Sequence, residues 1–221
     1  RKAQIIVGGA AVAAVGALAA WLASRSGGAG PRPADAGPTV VDMTGRSVRL
    51  PAAPRRILSL CTSAGEALAA MGQAHRVAAI DEYGRVVRGV EHAVVIGKGS
   101  LVSREQVLAL GIDLAFVWWY QDDAAAMLEG LSVPVVRIRS ARAAELPAMI
   151  RLVGLCVGSS EAADEVARHV EGYLRQPVAA GDPPCRPRVY LELYGAFKTV
   201  GRDTYLNDLL ELAGAVNVAR D

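Results

Sequence analysis

From Thr39 onward, short apolar runs alternate with amphipathic stretches, and the alternation predicts strands and helices in turn. "TVVDMTGRSVRL" reads as two short strands around a turn at Gly45. "RRILSL" (55–60) is a β-rich apolar run. "SAGEALAAMG" (63–72) is a short helix, with Ser63 as N-cap, Glu66 three residues later and Gly72 as terminator. "RVAAI" (76–80) and "AVVI" (93–96) read as buried strands. "SREQVLAL" is the next helix, with Ser103 as N-cap and Gln106 completing a capping box; Val107, Leu108 and Leu110 are expected to turn inward and Glu105 outward. The strand "DLAFVWW" (113–119), a helix over 122–131 and the strand "PVVRIR" follow. Strands that are near-continuous apolar runs and alternate with helices imply a parallel sheet covered on both faces.

After Ser140 the rhythm changes. Residues 141–157 carry a helical pattern that stops at Gly158. "SSEAADEVARHVEGYLRQ" is a second, longer helix with Ser160 as a plausible N-cap and one apolar stripe at 162, 163, 166, 170, 173 and 174. "GDPPCRP" is a loop, "RVYLELY" (188–194) a strand, and "TYLNDLLELAG" (204–214) a capped helix that ends at a glycine. The pattern predicts an α/β lobe over 39–158, a bridging helix over 159–181 and the start of a second α/β lobe over 182–221, which is expected to be cut short.

Charge changes the picture only at the N-terminus. Three of the 24 basic residues, Arg1, Lys2 and Arg25, lie in the first 26 positions with no acid beside them; the rest of the chain, with 22 acidic residues, is near neutral. The folded part therefore lacks the basic face that nucleic acid would need. Ile5–Ala23 carries 19 residues without a charge. As a helix these span roughly 28 Å, the thickness of a bilayer's hydrocarbon core. Residues 1–26 read as an export signal or an N-terminal membrane anchor. Residues 27–38, rich in Gly and Pro, read as a flexible tether. A location in the periplasm or cell envelope follows.

Several chemistries lack their motifs. No G-x-x-x-x-G-K-[ST] is present, and "GKGS" (97–100) fails because His92 stands where the first glycine belongs. No G-x-S-x-G elbow is present either. Cys61, Cys156 and Cys185 match no zinc spacing, and an odd number is a poor disulfide framework, so they read as small buried hydrophobes. His75, His92 and His169 are scattered, without clustered carboxylates, and read as surface residues rather than metal ligands. Cys61, Thr62 and Ser63 follow a strand as a nucleophile would, but no motif supplies a base, and a helix N-cap turn is the simpler reading. No catalytic residue, intrinsic cofactor or bare-metal site is assigned.

One chemistry is present. "FVWWYQDD" (116–123) gathers Trp118, Trp119 and Tyr120 where a strand ends, and open α/β sheets bind ligands beyond the carboxyl ends of their strands. Alternation places Trp118 and Tyr120 on one side and Trp119 on the other; the alternative is that the tryptophans simply cover the sheet. Tyr83 follows another strand end, and "LYGAFKTVGRD" (193–203) adds Tyr194, Phe197, Lys198 and Arg202. Aromatic walls with a few cations suit a large, flat or greasy anionic ligand. Taken singly, each cation reads as a solvated surface charge.

In this order the pieces resemble the periplasmic substrate-binding proteins of ABC importers for metal chelates: ferric siderophores, haem and vitamin B12 (cobalamin). The resemblance rests on "VVDMTGRSVRLPAAPRRILSL", "SAGEALAAMG", "SREQVLALGIDLAFV", "LSVPVVRI" and "KTVGRDTYLNDLLELAGAVNVA", and covers about 40–219. It implies two Rossmann-like α/β lobes bridged by a single long helix, with the ligand between them. It implies a binding protein rather than an enzyme, a monomer whose partners are an ABC permease with its ATPase and a small-molecule chelate. It places ligand contacts at Tyr83, Trp118 and Phe197, beside Trp119, Tyr120 and Lys198 from the residue reading. It places a permease-docking carboxylate at Glu105, which the helix alone would explain as a favourable charge near its N-terminus. The leader has no cysteine for lipid attachment. A chelate brings its own metal ligands, which fits the missing metal cluster. The other readings are an α/β enzyme acting on a cofactor precursor and a membrane-tethered adaptor.

Overall fold

Most of the strands and helices fall where the hydrophobic pattern puts them, and a computed structural model shows how they assemble. It describes residues 36–139, 142–175, 186–193 and 195–221. The segments read above as leader and tether, up to residue 35, lie outside the described residues, as do residues 140–141, Tyr194 and 176–185, which include Cys185 and onto which the bridging helix was expected to extend. Residues 36–221 form one compact unit.

Strand β1 (Ala36–Val41) pairs antiparallel with β2 (Ser47–Pro51). Gly45 turns the chain at φ 83°, a conformation that costs glycine nothing. Asp42 fixes the turn by accepting the N–H groups of Thr44 at 2.9 Å and Arg46 at 3.0 Å.

The central sheet runs β5 (Val94–Val95), β4 (Val77–Ile80), β3 (Ile57–Ser59), β8 (Leu114–Trp118), β9 (Val135–Ile138), every pair parallel. The first strand, β3, sits in the middle, so the order reverses between β3 and β8. The hairpin closes the β9 edge: Met43 donates to the Arg137 carbonyl at 3.2 Å, and the Arg137 N–H donates to Asp42 Oδ2 at 3.3 Å. An edge tied in this way cannot template another chain.

Both faces are buried, as the apolar runs require. Ile57, Leu114, Phe116, Val136 and Ile138 face one core with helices α1 (Thr62–Ala70), α4 (Leu146–Cys156) and α5 (Ser160–Arg175). Leu58, Ala79, Ala115, Val117 and Val135 face the other with α2 (Arg104–Ala109) and α3 (Asp122–Gly130). Helix α5 lies against α4 through small residues. Ala163 and Ala167 are fully buried, and a Cβ on Gly154 would stand 2.1 Å from the Ala163 Cβ. Arg151 of α4 then forks to Asp164 at 2.7 Å and Glu171 at 2.8 Å.

Several expectations need correction. Helix α1 begins at Thr62 with Cys61 in the cap position and no side-chain cap, so Ser63 lies inside the helix. In α2, Ser103 does cap, accepting from the Gln106 N–H at 3.2 Å, but its own N–H goes to the Ile96 carbonyl at 2.9 Å, which takes the place of the return half of a capping box. Leu108 is 59% exposed rather than inward, while Val107 is buried. "GKGS" is the turn of a small hairpin, β6 (Gly97–Lys98) with β7 (Leu101–Val102), which two-residue strands conceal from any periodicity. The strand expected over 188–194 reduces to β10 (Arg188–Val189), which pairs parallel with β11 (Val216–Asn217).

Helix α6 (Tyr205–Leu212) lies between β10 and β11 and is capped by Thr204. The turn at Ala143 to Glu145 meets it. Arg142 makes a fork of 2.6–3.1 Å onto the Asp208 carboxylate, and the Ala143 N–H adds a bond of 2.8 Å. This pairing holds the Asp208 carboxyl below its ordinary range. Among the described residues no helix is long and apolar enough to cross a membrane.

Candidate functional site

A parallel sheet brings the carboxyl ends of all its strands to one edge. Here the segment after β4 carries Tyr83, the start of α1 after β3 carries Ser63 and Glu66, and the end of β8 carries Trp118–Tyr120. Between β3 and β8 the strand order reverses, and the diverging connections leave a crevice there.

The aromatic turn after β8 is held by its backbone. Gln121 is 2% exposed; its side-chain oxygen accepts the Trp118 N–H at 2.8 Å, and its own N–H donates to the Trp118 carbonyl at 3.1 Å. The Trp119 N–H donates to Ile138 at 3.0 Å, and Arg137 Nη1 donates to the Trp119 carbonyl at 3.1 Å. The rings then pack on one another. Trp118 and Tyr120 are parallel within 7° at 6.4 Å, and Trp119 stands edge-on to Tyr120 at 4.9 Å and to Trp118 at 6.1 Å. Such edge-on contacts are favourable because the ring edge is positive and the face negative. Strand alternation thus pairs Trp118 with Tyr120, but Trp119 joins the same cluster, because pleating ends at Trp118. Trp119 is 39% and Tyr120 59% exposed; large rings left open to water at a strand end suit a ligand better than a sheet cover.

Tyr83 occupies a separate corner. Buried Asp81 joins two loops there, accepting from the Gly84 N–H at 2.9 Å and the Gly99 N–H at 3.0 Å. Burial pushes its carboxyl above the ordinary range, against the lowering effect of those donors. Lys98 lies 5.7 Å from the Tyr83 ring centroid and 3.3 Å from Glu82. Lys98 belongs to the concealed hairpin, and sequence reading missed it.

Phe197 and Lys198 form a third place. The Phe197 N–H donates to Glu192 at 2.5 Å, and Leu193 donates to the Lys198 carbonyl at 2.8 Å, so both sit on a tight turn with Phe197 91% exposed. Among the described residues Phe197 makes no ring contact with the aromatic turn.

A cleft of about 510 Å³ opens beside Trp118. Leu146, Met149 and Ile150 of α4 and Val166 and Val170 of α5 wall it, and Tyr205 of α6 closes one side. Ser63 and Glu66, one turn apart on α1, supply its other polar groups. The sequence singled out none of Ser63, Glu66 or Tyr205 as a ligand contact; Ser63 and Glu66 had been absorbed into a helix-start pattern.

Glu105 lies apart from these places. It is exposed on α2, where its own N–H and the Ser103 hydroxyl, at 3.1 Å, hold its carboxyl below the ordinary range. Cys61 and Cys156 are buried free thiols, each pushed up to about 12 by burial, which leaves neither as a nucleophile. His75, His92 and His169 are exposed. Among the described residues no group of three or more His, Cys, Asp or Glu is placed to hold a metal ion.

No protein-family model matches the chain. A cobalamin-binding protein of Halobacterium salinarum is 26% identical over 223 aligned positions, 93% of this chain and 60% of that protein. YvrC of Bacillus subtilis, an uncharacterized ABC transporter substrate-binding lipoprotein, is 24% identical over 196 positions, 83% of this chain and 61% of that protein. The chain thus spans about three-fifths of the length of these curated relatives. Among solved structures, a periplasmic heme binding protein of Pseudomonas aeruginosa matches with a TM-score of 0.68 at 23% identity, over 76% of this chain and 64% of that one. The molybdate-bound periplasmic protein MolA of Haemophilus influenzae matches with a TM-score of 0.66 at 20% identity, over 82% of this chain and 66% of that one. The resemblance drawn from the sequence therefore holds: the chain is similar to substrate-binding proteins of ABC importers, and its fold is that of periplasmic binding proteins.

Proposed function

We propose that this chain is the ligand-binding part of an extracytoplasmic substrate-binding protein that delivers a metal chelate to an ABC permease and its ATPase. The chelate is a corrinoid, haem or ferric siderophore. One observation carries the reading: a backbone-pinned cluster of half-buried Trp118 with exposed Trp119 and Tyr120 at the point where the order of a parallel sheet reverses. Stacked rings grip a large flat ligand without forming any bond to its metal. The cobalamin- and heme-binding relatives support the ligand class.

In this reading Tyr83, Trp118, Trp119, Tyr120, Phe197 and Lys198 contact ligand and no residue is catalytic. Residues 39–158 are one lobe, α5 lies in the bridge, and a second α/β lobe starts near 182. Residues 1–26 export the protein, which acts as a monomer in the periplasm or cell envelope, anchored if the segment is kept. Glu105 docks the permease. Leu108 shares its side of α2, and Leu101 (83% exposed) precedes it, so the carboxylate stands among open apolar surface.

The test is a titration of the full-length protein with cyanocobalamin, haem and a set of ferric siderophores. The tryptophans at the strand end should be quenched on binding, and the unfolding temperature should rise. A full panel that moves neither signal removes the reading.

A further inference from the structure

The polar groups of the cleft beside Trp118 are unspent. Among the described residues, the side chains of Ser63, Glu66 and Tyr205 make no hydrogen bond or ion pair. Every other lining residue except Trp118 is aliphatic or methionine, and Glu66 is the only charged one. No lysine or arginine lines the cleft, and Lys98, Arg137 and Arg142 are paired with Glu82, Asp122 and Asp208. A carboxylate only accepts hydrogen bonds. Once a ligand displaces water from this apolar cleft, Glu66 needs a donor opposite it, and a second carboxylate there would meet desolvation and like-charge repulsion together.

We infer that this cleft is a subsite for a neutral amide-bearing or ammonium-bearing arm of the ligand, and that Glu66 excludes chelates that present carboxylates there. Apolar walls take the arm's methyl and methylene groups, Glu66 accepts its N–H, and the Ser63 and Tyr205 hydroxyls serve its carbonyl. This rests on the chelate-binding function proposed above and narrows it from aromatic stacking, which any flat chelate satisfies, to the chemistry of the ligand's rim. It also departs from the anionic ligand that the sequence's scattered cations suggested.

The experiment uses cyanocobalamin as the amide-edged probe and ferric protoporphyrin as the carboxylate-edged probe, titrated into the full-length protein. The wild type should prefer cyanocobalamin. Glu66→Gln should weaken cyanocobalamin by about tenfold, the loss of one charge-assisted hydrogen bond, and leave ferric protoporphyrin equal or tighter. Glu66→Lys should move the ratio further toward ferric protoporphyrin. Glu66 is exposed on α1 and unpaired, so unchanged unfolding curves are expected; should the lysine variant unfold, the near-isosteric glutamine variant decides alone. A wild type that takes only carboxylate- or phenolate-edged chelates overturns the inference, as does a ratio indifferent to Glu66. In both of those outcomes chelate binding itself survives. If no chelate of any kind binds the wild type, the proposed function falls and the subsite with it.

Discussion

The two ends of the described chain are held by different forces. Around the central sheet, residues such as Ile57, Leu58, Leu114, Phe116 and Val117 are wholly buried and apolar. Among the described residues of 186–221 the one buried hydrophobic residue is Ala215; the others buried there are Asn207 and Asn217. Asn217 donates to Asn207 at 3.1 Å and to the Val200 carbonyl at 2.8 Å, and Asn207 donates to Glu211 at 3.0 Å. The segment then reaches the rest of the molecule through the Arg142–Asp208 fork. Apolar burial is non-directional and tolerates small shifts. A polar network works only when every member is satisfied. The sheet is therefore a stable platform for the aromatic turn, and the segment that brings Tyr205 to the cleft is the part a single lost partner can loosen.

The sharpest break in that comparison is the sheet itself. Phe116→Ala empties the centre of β8 and should cost about 3–5 kcal/mol, a large part of the ~5–15 kcal/mol that holds a domain together. The whole unit should unfold earlier in denaturant. Asn217→Ala should cost about 1–3 kcal/mol, because it leaves the Val200 carbonyl and Asn207 without their donor. Hydrogen exchange should show that loss confined to residues near 200–217, with β3 and β8 still protected. Uniform loss of protection in both variants would mean that the two regions unfold as one, and the contrast between them would collapse.

Acid should separate them more gently. The Asp208 carboxyl is lowered, first by its bonds to Arg142 and then by the Ala143 N–H, against burial. Its contribution is therefore complete above the ordinary carboxylate range and fades as pH falls through the lowered value. Asp203 and Glu211 face Arg142 as well. Exchange near α6 should rise on acidification before exchange in the sheet does. Asp208→Asn should start from a looser α6 and show less of that pH dependence; an identical acid profile would take the fork out of the account.

Much of the sheet was legible because its cause is local: strands buried on both faces must be largely apolar, and "ILSL", "LAFVW" and "PVVRI" are, with Ser59 and Arg137 the polar residues among them. The aromatic turn was legible for the same reason, since three rings at a strand end need no tertiary context. What the sequence hid depends on distant partners. Arg137 supports Trp119 from 18 positions away, and Asp42 reaches Arg137 across 95. Ser63 and Glu66 match a helix-start pattern so well that their actual position, inside the helix and facing a cleft, left no trace. The expected strand at 188–194 failed because Leu193 bonds back to Lys198 in a turn rather than onward in a ladder.

The smallest effect on the fold belongs to Glu105, and it tests a surface rather than a core. Its carboxylate is exposed and bonded only to its own helix start, so Glu105→Ala should cost less than about 1 kcal/mol of stability and leave chelate affinity unchanged. Ser103 keeps its bond to the Gln106 N–H in that variant, so the cap survives. If the exposed acid flanked by Leu101 and Leu108 is a handle for the permease, uptake by cells carrying the full-length variant should fall, and Glu105→Asp should recover part of it. Normal uptake by the alanine variant would return Glu105 to a purely local role. The aromatic turn would then remain functional while α2 became ordinary surface, because nothing in the sheet or the cleft depends on that carboxylate.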